Sequence, residues 1–333
     1  MRHALQKGGK KIKHTIQELH EKQGLPLSMK IKMTERRIRE WVRKYDIGGV
    51  YVSFSGGKDS TVLLDIARHL YPEMLAVYVD TGLEYPEVRN FVKTYDNVEW
   101  LKPKKNFRQV IEEYGYPFIS KEVSGKIYEA KSKPDGYAAT QCFDPNSEKI
   151  KRYGNRYNYS KWKFLFEAPF KVGNNCCNVM KKSPIKIFEH KTLRYGITAQ
   201  MASESAVRTR QWIEHGCNAF DKKRPISNPM SFWAEQDVLL YIKEHNLAIA
   251  PVYGEIKAQD NGVLKTTGCD RTGCMFCGYG CHLERPGEGR FLKMKETHPK
   301  QYDYIMRPKE QGGLNYKEVI DWINEHGGFH IEY

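Results

Sequence analysis

The sequence lacks any apolar segment of the roughly 20 residues that a membrane-spanning helix needs. Its opening residues, Met1 to Lys7, contain no apolar signal-peptide core. Internal repeats and low-complexity tracts are also missing, which excludes solenoid and fibrous classes. We therefore expect a cytoplasmic protein without a membrane partner, whose 333 residues form one large α/β domain or two modest ones.

Acidic residues are scarce relative to basic ones. The chain has 40 Asp and Glu against 54 Lys and Arg, so its formal net charge is +14 and its isoelectric point is near 9.2. Aromatic residues make up 12% of the sequence. A basic chain with interleaved aromatics is typical of nucleic-acid-binding proteins, although a solvated basic surface has the same composition. We predict nucleic acid, tRNA or DNA, as the partner, while the composition says nothing of the oligomeric state.

One glycine-rich loop lacks the spacing of both the Walker phosphate loop and the dinucleotide fingerprint. It follows an apolar strand at residues 50–54 and precedes a helical pattern at residues 61–70. Backbone amides and the positive end of a helix dipole bind anions at such a junction, and Lys58 adds a mobile charge. The pattern predicts a site for nucleotide phosphates, an ordinary glycine turn being the alternative; its candidate residues are Ser53, Ser55, Gly56, Gly57, Lys58, Asp59 and Ser60.

Strand and helix patterns alternate from residue 50 to residue 114, which predicts an α/β fold: a twisted parallel sheet with helices on both faces. Ligands of such sheets bind beyond the carboxyl ends of the strands. Asp80, Thr81 and Gly82 follow the second strand, and we predict that they face the nucleotide, a simple Asp-Gly turn being the alternative. The predicted strands are 50–54, 75–79, 98–101 and 195–199, and the predicted helices are 35–45 with Thr34 as N-cap, 61–70, 86–94, 107–114, 234–245 and 316–324.

Composition suggests three regions. Residues 1–45 are predicted to be a basic arm and a helix, residues 46–250 a nucleotide-binding domain, and residues 251–333 an irregular cysteine-rich region with a helical tail. An insertion at about 120–175 is rich in Lys, Tyr, Asn and Gly and has weak periodicity. We interpret it as an irregular segment that faces the substrate; an aromatic cluster packed under a long loop is the alternative.

The eight cysteines are grouped in a way that indicates an inorganic site rather than disulfides. Cys176 and Cys177 are adjacent, and four more cysteines lie between residues 269 and 281. A Cys-x-x-Cys hairpin and a second cysteine pair can together supply four thiolates. Adjacent cysteines diverge, so they suit the separate irons of a [4Fe-4S] cluster better than one zinc ion. Zinc and buried inert thiols are the alternatives.

The Ser-Gly-Gly-Lys-Asp-Ser loop at residues 55–60 resembles the PP-loop of the ATP pyrophosphatases, which split ATP between the α and β phosphates. The resemblance implies an adenine nucleotide alpha hydrolase-like fold, ATP with Mg²⁺, and adenylation chemistry. It also implies that Lys58 and Asp59 act in catalysis.

A second resemblance rests on the cysteines. Cys176-Cys-x-x-x-Lys-x-x-Pro184 followed by Gly273-Cys-x-x-Cys277 is similar to the cluster-binding pattern of bacterial adenylylsulfate reductases, in the phosphoadenylylsulfate (PAPS/APS) reductase family. Further matching segments extend from residue 50 to about 295. The resemblance implies a [4Fe-4S] cluster held by Cys176, Cys177, Cys274 and Cys277, and substrate-binding roles for Lys182, Glu204 and Arg208. We also predict that Arg208 acts in catalysis.

Three departures from the reductases point away from sulfate reduction. The tail at residues 321–333 has no cysteine to serve as their usual nucleophile, Lys58 and Asp59 are retained, and Thr198 stands where arginine is common. The first hypothesis is therefore an ATP-dependent sulfurtransferase that adenylates a nucleic acid, with a sulfur donor such as a cysteine desulfurase. Cys269 and Cys281 are the candidates to carry sulfur, and either could replace Cys176 as a ligand. The alternatives are an adenylylsulfate or phosphoadenylylsulfate reductase and a non-catalytic, cluster-bearing nucleic-acid-binding protein.

Overall fold

A computed structural model describes residues 13–333, so residues 1–12 of the predicted basic arm lie outside the described residues. The chain forms two compact units. One holds the described residues up to Asp80 with Glu84–Lys102 and Ile185–Thr272, and the other holds Thr81–Leu83, Pro103–Pro184 and Gly273–Tyr333. The segment 120–175 thus shares a unit with most of the cysteine-rich region, while the domain boundaries drawn from the sequence stay a prediction.

The strands are short. In chain order they are β1 (Val50–Ser53), β2 (Ala76–Val79), β3 (Val98–Leu101), β4 (Phe118–Ile119), β5 (Tyr195–Ile197), β6 (Asn218–Ala219), β7 (Ile226–Ser227), β8 (Ile256–Ala258), β9 (Leu264–Thr266) and β10 (Gly278–Tyr279).

The helices are more numerous and longer. They are α1 (Ile16–Gln23), α2 (Leu27–Tyr45), α3 (Lys58–Leu70), α4 (Pro86–Val92), α5 (Phe107–Tyr114), α6 (Lys121–Ser132), α7 (Tyr137–Cys142), α8 (Glu148–Tyr153), α9 (Ser183–Thr192), α10 (Ala206–His215), α11 (Glu235–Glu244), α12 (Arg290–Thr297), α13 (Pro299–Met306) and α14 (Tyr316–Gly327). No helix among the residues from 13 onward combines the length and apolar character needed to cross a bilayer.

The first unit is built on a six-stranded sheet in the order β3-β2-β1-β5-β7-β6. Each pair is parallel except β6 with β7, which is antiparallel. The chain moves outward from β1 to β2 and β3, and then returns to place β5 on the other side of β1. The strand order therefore reverses between β1 and β5, the position at which open α/β sheets bind ligands.

Alternate residues of the central strands face two separate cores. Val50 and Val52 of β1 belong to a large core that also includes residues of α2, α3 and α11. Tyr51, between them, packs with Val77 and with Phe188 of α9 on the opposite face. The two-residue period of a strand buried on both faces explains why residues 50–52 are all apolar. The predicted α/β fold with helices on both faces is confirmed.

The predicted N-cap at Thr34 is wrong. Helix α2 begins at Leu27, directly after Pro26, so Thr34 lies in its interior. The Thr34 hydroxyl is buried, donates to the Pro229 carbonyl and accepts from the Trp233 indole N–H. The sequence pattern misled because threonine also satisfies its hydroxyl inside a helix when a tertiary partner is near, and Pro26 was the better start signal.

The insertion is more regular than its sequence predicts. Helices α6, α7 and α8 occupy much of residues 121–153, and 3₁₀ turns follow at Asn155–Tyr157 and Ser160–Phe166. Two of these helices have six residues each, too few for a hydrophobic period to show.

A buried ion pair joins α2 to α11 in the first unit. The Lys30 ammonium lies 2.8 and 2.7 Å from the two carboxylate oxygens of Asp237, and Lys30 is 2% exposed. We expect Asp237→Ala to lower the free energy of unfolding by about 3 kcal/mol, because it leaves a buried charge without its partner. Urea unfolding measures this. Glu255→Ala, which breaks the exposed Glu255–Lys257 pair in the same unit, is the control and should cost less than about 1 kcal/mol; equal effects of the two variants would contradict the prediction.

Candidate functional site

The phosphate-type loop follows β1 and runs into α3 in the first unit. The hydroxyl of Ser60 accepts from the Ser55 amide at 3.1 Å and donates to the Gly57 carbonyl at 2.9 Å, and the Gly57 amide donates to the Ser55 hydroxyl. Gly57 is the N-cap of α3 and, having no side chain, contributes no side-chain cap. The serines therefore fix the shape of the loop, while the first turn of α3 presents its backbone N–H groups as helix N-termini do.

Gly56 is required by the backbone of this loop. Its φ is +71°, and a Cβ there would lie 2.6 Å from a Val92 methyl and 2.8 Å from a Val88 methyl. We expect Gly56→Ala to lower the free energy of unfolding by about 2 to 3 kcal/mol in urea titrations, through left-handed strain plus the clash. Gly262→Ala is the matched control because its φ is +77° with no atom within 4 Å of the added Cβ. That control should cost about 1 kcal/mol, and a Gly56 variant no worse than it would refute the clash.

Lys58 is buried, and its ammonium contacts residues that are distant in the sequence. The ammonium lies 3.0 Å from a carboxylate oxygen of Glu235 and donates to the Asp270 carbonyl at 2.9 Å, while the residue is 3% exposed. The Lys58 backbone N–H donates to the Tyr253 hydroxyl at 3.1 Å. Hydroxyl, carbonyl and carboxylate oxygens of the protein thus accept from the amide and the ammonium of Lys58. The oxygens of a bound triphosphate would have to replace these protein oxygens around Lys58.

Asp59 and Arg208 belong to the same cluster of charges. Burial raises the pKa of Asp59, while the positive charge of Lys58 opposes that rise. The Oδ1 atom of Asp59 is buried and has no hydrogen-bond partner within residues 13–333. Burial and the neighbouring Arg271 lower the pKa of Arg208, which is paired with Glu204. The structure thus brings Glu204 and Arg208, predicted from the sequence, together with the loop residues Lys58 and Asp59.

The other predicted nucleotide residues have different surroundings. Ser53 ends β1 and is partly exposed. Asp80 is bound by the Arg89 guanidinium through contacts of 2.9 to 3.1 Å, so its carboxylate already has a cationic partner. Thr81 and Gly82 fall in the second unit, where the Thr81 hydroxyl accepts from the Leu83 amide and Gly82 has a φ of +73°. Their predicted role toward a nucleotide stays a prediction.

Sequence reasoning missed five residues that surround Lys58 and Asp59. Tyr253 is the most informative, because its hydroxyl contacts both the Lys58 amide and the Thr272 hydroxyl, the latter at 2.7 Å. Tyr253 stands in no motif, so no signal could have found it. The polar run between Cys269 and Cys274 was a usable signal, since three of the five lie there; the full set is Glu235, Tyr253, Asp270, Arg271 and Thr272.

The second unit gathers four cysteines from two distant segments. Cys176 and Cys177 stand just before the π-helical turn Asn178–Lys182, and Cys274 and Cys277 lie in a turn closed by a 3.1 Å hydrogen bond between their backbones. All four line one pocket with a largely apolar wall that includes Leu83, Phe107, Pro117, Met180 and Phe276. The predicted convergence of these thiols is therefore present within the second unit.

Two contacts hold the Cys274–Cys277 turn in position. The Arg290 guanidinium donates to the Cys277 carbonyl at 2.8 Å, and the buried Tyr316 hydroxyl donates to the Phe276 carbonyl at 2.6 Å. Directly after the turn, Gly278 pairs with Phe118 in the parallel strands β4 and β10, and an added Cβ would lie 2.6 Å from the Phe118 ring. The chain can approach this closely only at glycine.

The thiols differ in acidity. A hydrogen bond from the Cys176 thiol lowers the pKa of Cys177 to about 6, with further help from Lys121, Lys181 and Lys182. The same hydrogen bond, with burial, raises the pKa of Cys176. Burial also raises the pKa of Cys277. The thiolate is the ligand form of cysteine, and among Cys176, Cys177 and Cys277 only Cys177 has a lowered pKa.

The donor set fits an iron–sulfur cluster better than a single ion. Four cysteine sulfurs with a basic surround are the ligands that such clusters use. Among residues 13–333, no three His, Cys, Asp or Glu side chains lie close enough together to bind one metal ion. A cluster accepts each thiolate on a separate iron and so does not need the thiols to meet at one point. Cys176, Cys177, Cys274 and Cys277 are thus suited to hold it.

The remaining cysteines are unequal candidates for chemistry. Cys142, Cys217 and Cys281 are buried, whereas Cys269 is partly exposed. The Cys281 thiol donates to the Gly278 carbonyl at 2.8 Å, and burial raises its pKa to about 12. Those are properties of an inert thiol. Catalytic roles for Cys269 and Cys281 stay predictions, and the structure favours Cys269.

Several known proteins resemble this chain. An uncharacterized protein of Methanocaldococcus jannaschii is 24% identical over 277 residues, which are 81% of this chain but 50% of that protein, so the chain spans about half of its length. Adenosine 5'-phosphosulfate reductases of Staphylococcus haemolyticus and Staphylococcus epidermidis are 23% and 22% identical, over 63% and 67% of this chain and 67% and 71% of theirs.

A solved structure and a family profile also match. The crystal structure of a phosphoadenylyl-sulfate reductase from Candida auris is 12% identical, with a TM-score of 0.38 over 79% of this chain and 99% of that one. That likeness is too low to carry an argument. The profile of the phosphoadenosine phosphosulfate reductase domain matches residues 49–133 and 143–279, which include the loop at 55–60 and all four pocket cysteines. Since the match covers more than half of the chain, the protein belongs to the phosphoadenosine phosphosulfate reductase domain family.

Proposed function

We propose that this protein is an ATP-dependent sulfurtransferase that adenylates a nucleic acid, tRNA or DNA, and then replaces an oxygen of that acceptor with sulfur. The observation that carries the proposal is the intact phosphate loop. Lys58, Asp59 and the serine-braced turn at residues 55–60 stand together at the reversal of strand order. A β,γ-pyrophosphate needs such a loop, whereas the sulfated nucleotides of the reductases have none to bind.

In the proposed reaction the acceptor oxygen attacks the α-phosphorus of ATP and pyrophosphate leaves. Lys58 and the amides of the loop bind the negative charge of the leaving group. Asp59 supplies a buried carboxylate oxygen without a hydrogen-bond partner, the type of ligand that Mg²⁺ prefers. Arg208 stands near Asp59 and can bind a further phosphate oxygen. A sulfur nucleophile then attacks the adenylated atom and AMP leaves.

The four-thiol pocket is assigned to a [4Fe-4S] cluster in this proposal. When bound, the cluster would supply iron and sulfide to support the delivery of sulfur. Cys176, Cys177, Cys274 and Cys277 would hold it, while Lys181 of the pocket wall, with Lys121 and Lys182 near Cys177, would offset its negative charge. A separate protein such as a cysteine desulfurase would provide the sulfur, and Cys269 is the partly exposed thiol that could receive it.

Reduction of adenylylsulfate or phosphoadenylylsulfate is the second candidate function. It is favoured by the family and by the relatives named as adenosine 5'-phosphosulfate reductases. It requires a thiol that attacks the sulfur of the substrate. Among residues 13–333, Cys269 is the partly exposed cysteine outside the four-thiol pocket and is the candidate for that part.

The deciding experiment measures two products in parallel. Anaerobically purified protein is incubated with ATP, Mg²⁺ and bulk tRNA or DNA, and pyrophosphate is quantified; a second sample receives adenylylsulfate and thioredoxin, and sulfite is quantified. Nucleic-acid-dependent pyrophosphate without sulfite is the expected result. Sulfite without pyrophosphate would establish the reductase instead. Tight ATP binding without either product would indicate a non-catalytic, cluster-bearing nucleic-acid-binding protein.

A further inference from the structure

A short surface segment of the second unit combines basic and aromatic residues. Residues 149–163 contain six Lys or Arg, four Tyr or Trp and no Asp or Glu. They cover most of α8 and the 3₁₀ turns that follow it. Neither the phosphate loop nor the four-thiol pocket uses these side chains.

Half of the aromatic residues anchor the segment. Tyr159 and Trp162 are 7% and 8% exposed, and the Tyr159 hydroxyl donates to Glu122. Ile150 is also buried. These buried residues agree with the alternative interpretation of the insertion, an aromatic cluster packed under a loop. They also anchor the segment that carries the outer side chains.

The other two rings, Tyr153 and Tyr157, form an outward row with Tyr137 of α7, with cations beside them. One of these cations is Arg156, which lies 5.1 Å from the centre of the Tyr157 ring. The Lys149 ammonium lies 4.8 Å from the centre of the Tyr137 ring and 4.7 Å from that of Tyr157. The Tyr157 and Tyr153 rings are 6.0 Å apart at 75°, and Arg152 lies 5.4 Å from the Tyr153 ring. Tyr137 and Tyr153 are 56% and 57% exposed. We call Tyr137, Lys149, Arg152, Tyr153, Arg156 and Tyr157 the tyrosine ladder.

Exposed tyrosine rings with neighbouring cations suit one kind of ligand. Unpaired bases stack on aromatic rings, and their phosphates bind Arg and Lys. A duplex hides its base faces, so it would use only the charges of the ladder. An acidic protein surface would likewise have no need of the rings.

We propose that the tyrosine ladder binds an unpaired segment of the nucleic-acid acceptor. The proposal rests on the proposed function for the identity of the acceptor, and it adds that the acceptor is recognised where it is single-stranded. The shared chemistry is a flexible strand of stacked bases and phosphates, which RNA loops and single-stranded DNA both present.

The test is fluorescence anisotropy on the full chain without ATP, using labelled RNA and DNA strands of about 12 nucleotides and a matching duplex. Tyr153→Leu keeps an apolar side chain at an exposed position and should weaken single-strand binding about tenfold. Arg152→Gln with Arg156→Gln should reduce the slope of log affinity against log salt by about 1.4. The control, Arg36→Gln with Arg39→Gln, removes the same charge from the exposed face of α2. It should leave the contribution of the Tyr153 ring to binding unchanged.

The outcomes separate this proposal from the proposed function. Unchanged affinity of Tyr153→Leu, or a duplex bound as tightly as a single strand, overturns the ladder as a stacking surface even if pyrophosphate is released. Binding that depends on the Tyr153 ring, without pyrophosphate release, supports the ladder and contradicts only the proposed adenylation. A stronger effect with RNA than with DNA assigns the acceptor to RNA, and the reverse assigns it to DNA.

Discussion

Replacing Lys58 with alanine is expected to lower kcat/KM for nucleic-acid-dependent pyrophosphate release at least about 100-fold, a loss of about 3 kcal/mol in transition-state stabilisation. The reason is the position of Lys58 at the start of α3, where the residue is 3% exposed and its ammonium already lies among oxygen atoms. Charge develops on the leaving pyrophosphate, and a buried cation stabilises that charge more strongly than one in water.

The measurement is a steady-state pyrophosphate assay at several ATP concentrations, with thermal unfolding of each variant to show that it is folded. Lys93→Ala removes the same charge from an exposed position next to α4 and serves as the matched control. Lys58→Arg is informative as well, because its larger fork has little room at a buried site. A folded Lys58→Ala protein with the rate of the Lys93→Ala control would rule out phosphate binding by this loop.

Replacing Cys177 or Cys277 with serine is expected to remove most of the bound iron and acid-labile sulfide from protein purified without oxygen. Cys177 should have the larger effect, because its pKa is lowered while that of Cys277 is raised, so Cys177 is the more readily deprotonated of the two. Serine keeps the size of the side chain but is not the soft thiolate that iron–sulfur clusters use.

Cys142→Ser is the matched control, since Cys142 is fully buried in the same unit and lies outside the pocket lining. It should keep the iron and sulfide content of the unaltered protein. Serine variants of Cys176, Cys269 and Cys281 then identify the fourth ligand, because only the one that binds the cluster should lose iron. Iron content that is the same in every variant would show that the pocket holds no cluster.

Several strands and helices of both units were predictable because their signals are local. Residues 98–101 and 107–114 are a strand and a helix with the predicted limits. Asn106 and Gln109 form a capping box that marks the start of α5 within four residues of sequence. The predicted start of the helix at 35–45 was wrong, because Thr34 bonds to residues almost 200 positions later in the chain.

The candidate site divides in the same way. The Ser55–Ser60 loop was predicted from its own residues, whereas Tyr253 and Glu235, which contact Lys58, were not predicted. The burial of Cys281 and the hydrogen bond from its thiol to the Gly278 carbonyl were also not predictable from the sequence. Neither the burial nor the hydrogen bond can be inferred from the spacing of the cysteines.

Six consecutive residues suffice to specify a turn that offers backbone amides to an anion, because the required φ angles and hydrogen bonds are internal to them. The loop, the alternation of strands and helices, and the basic charge could therefore be read directly from the chain. The convergence of Cys176–Cys177 with Cys274 and Cys277, about 100 residues apart, depends on β4, β10 and the residues packed around them. The choice of partners for Lys58 depends likewise on packing across more than 170 residues of chain. Such long-range contacts form only when the core packs as a whole, so only the tertiary structure determines them.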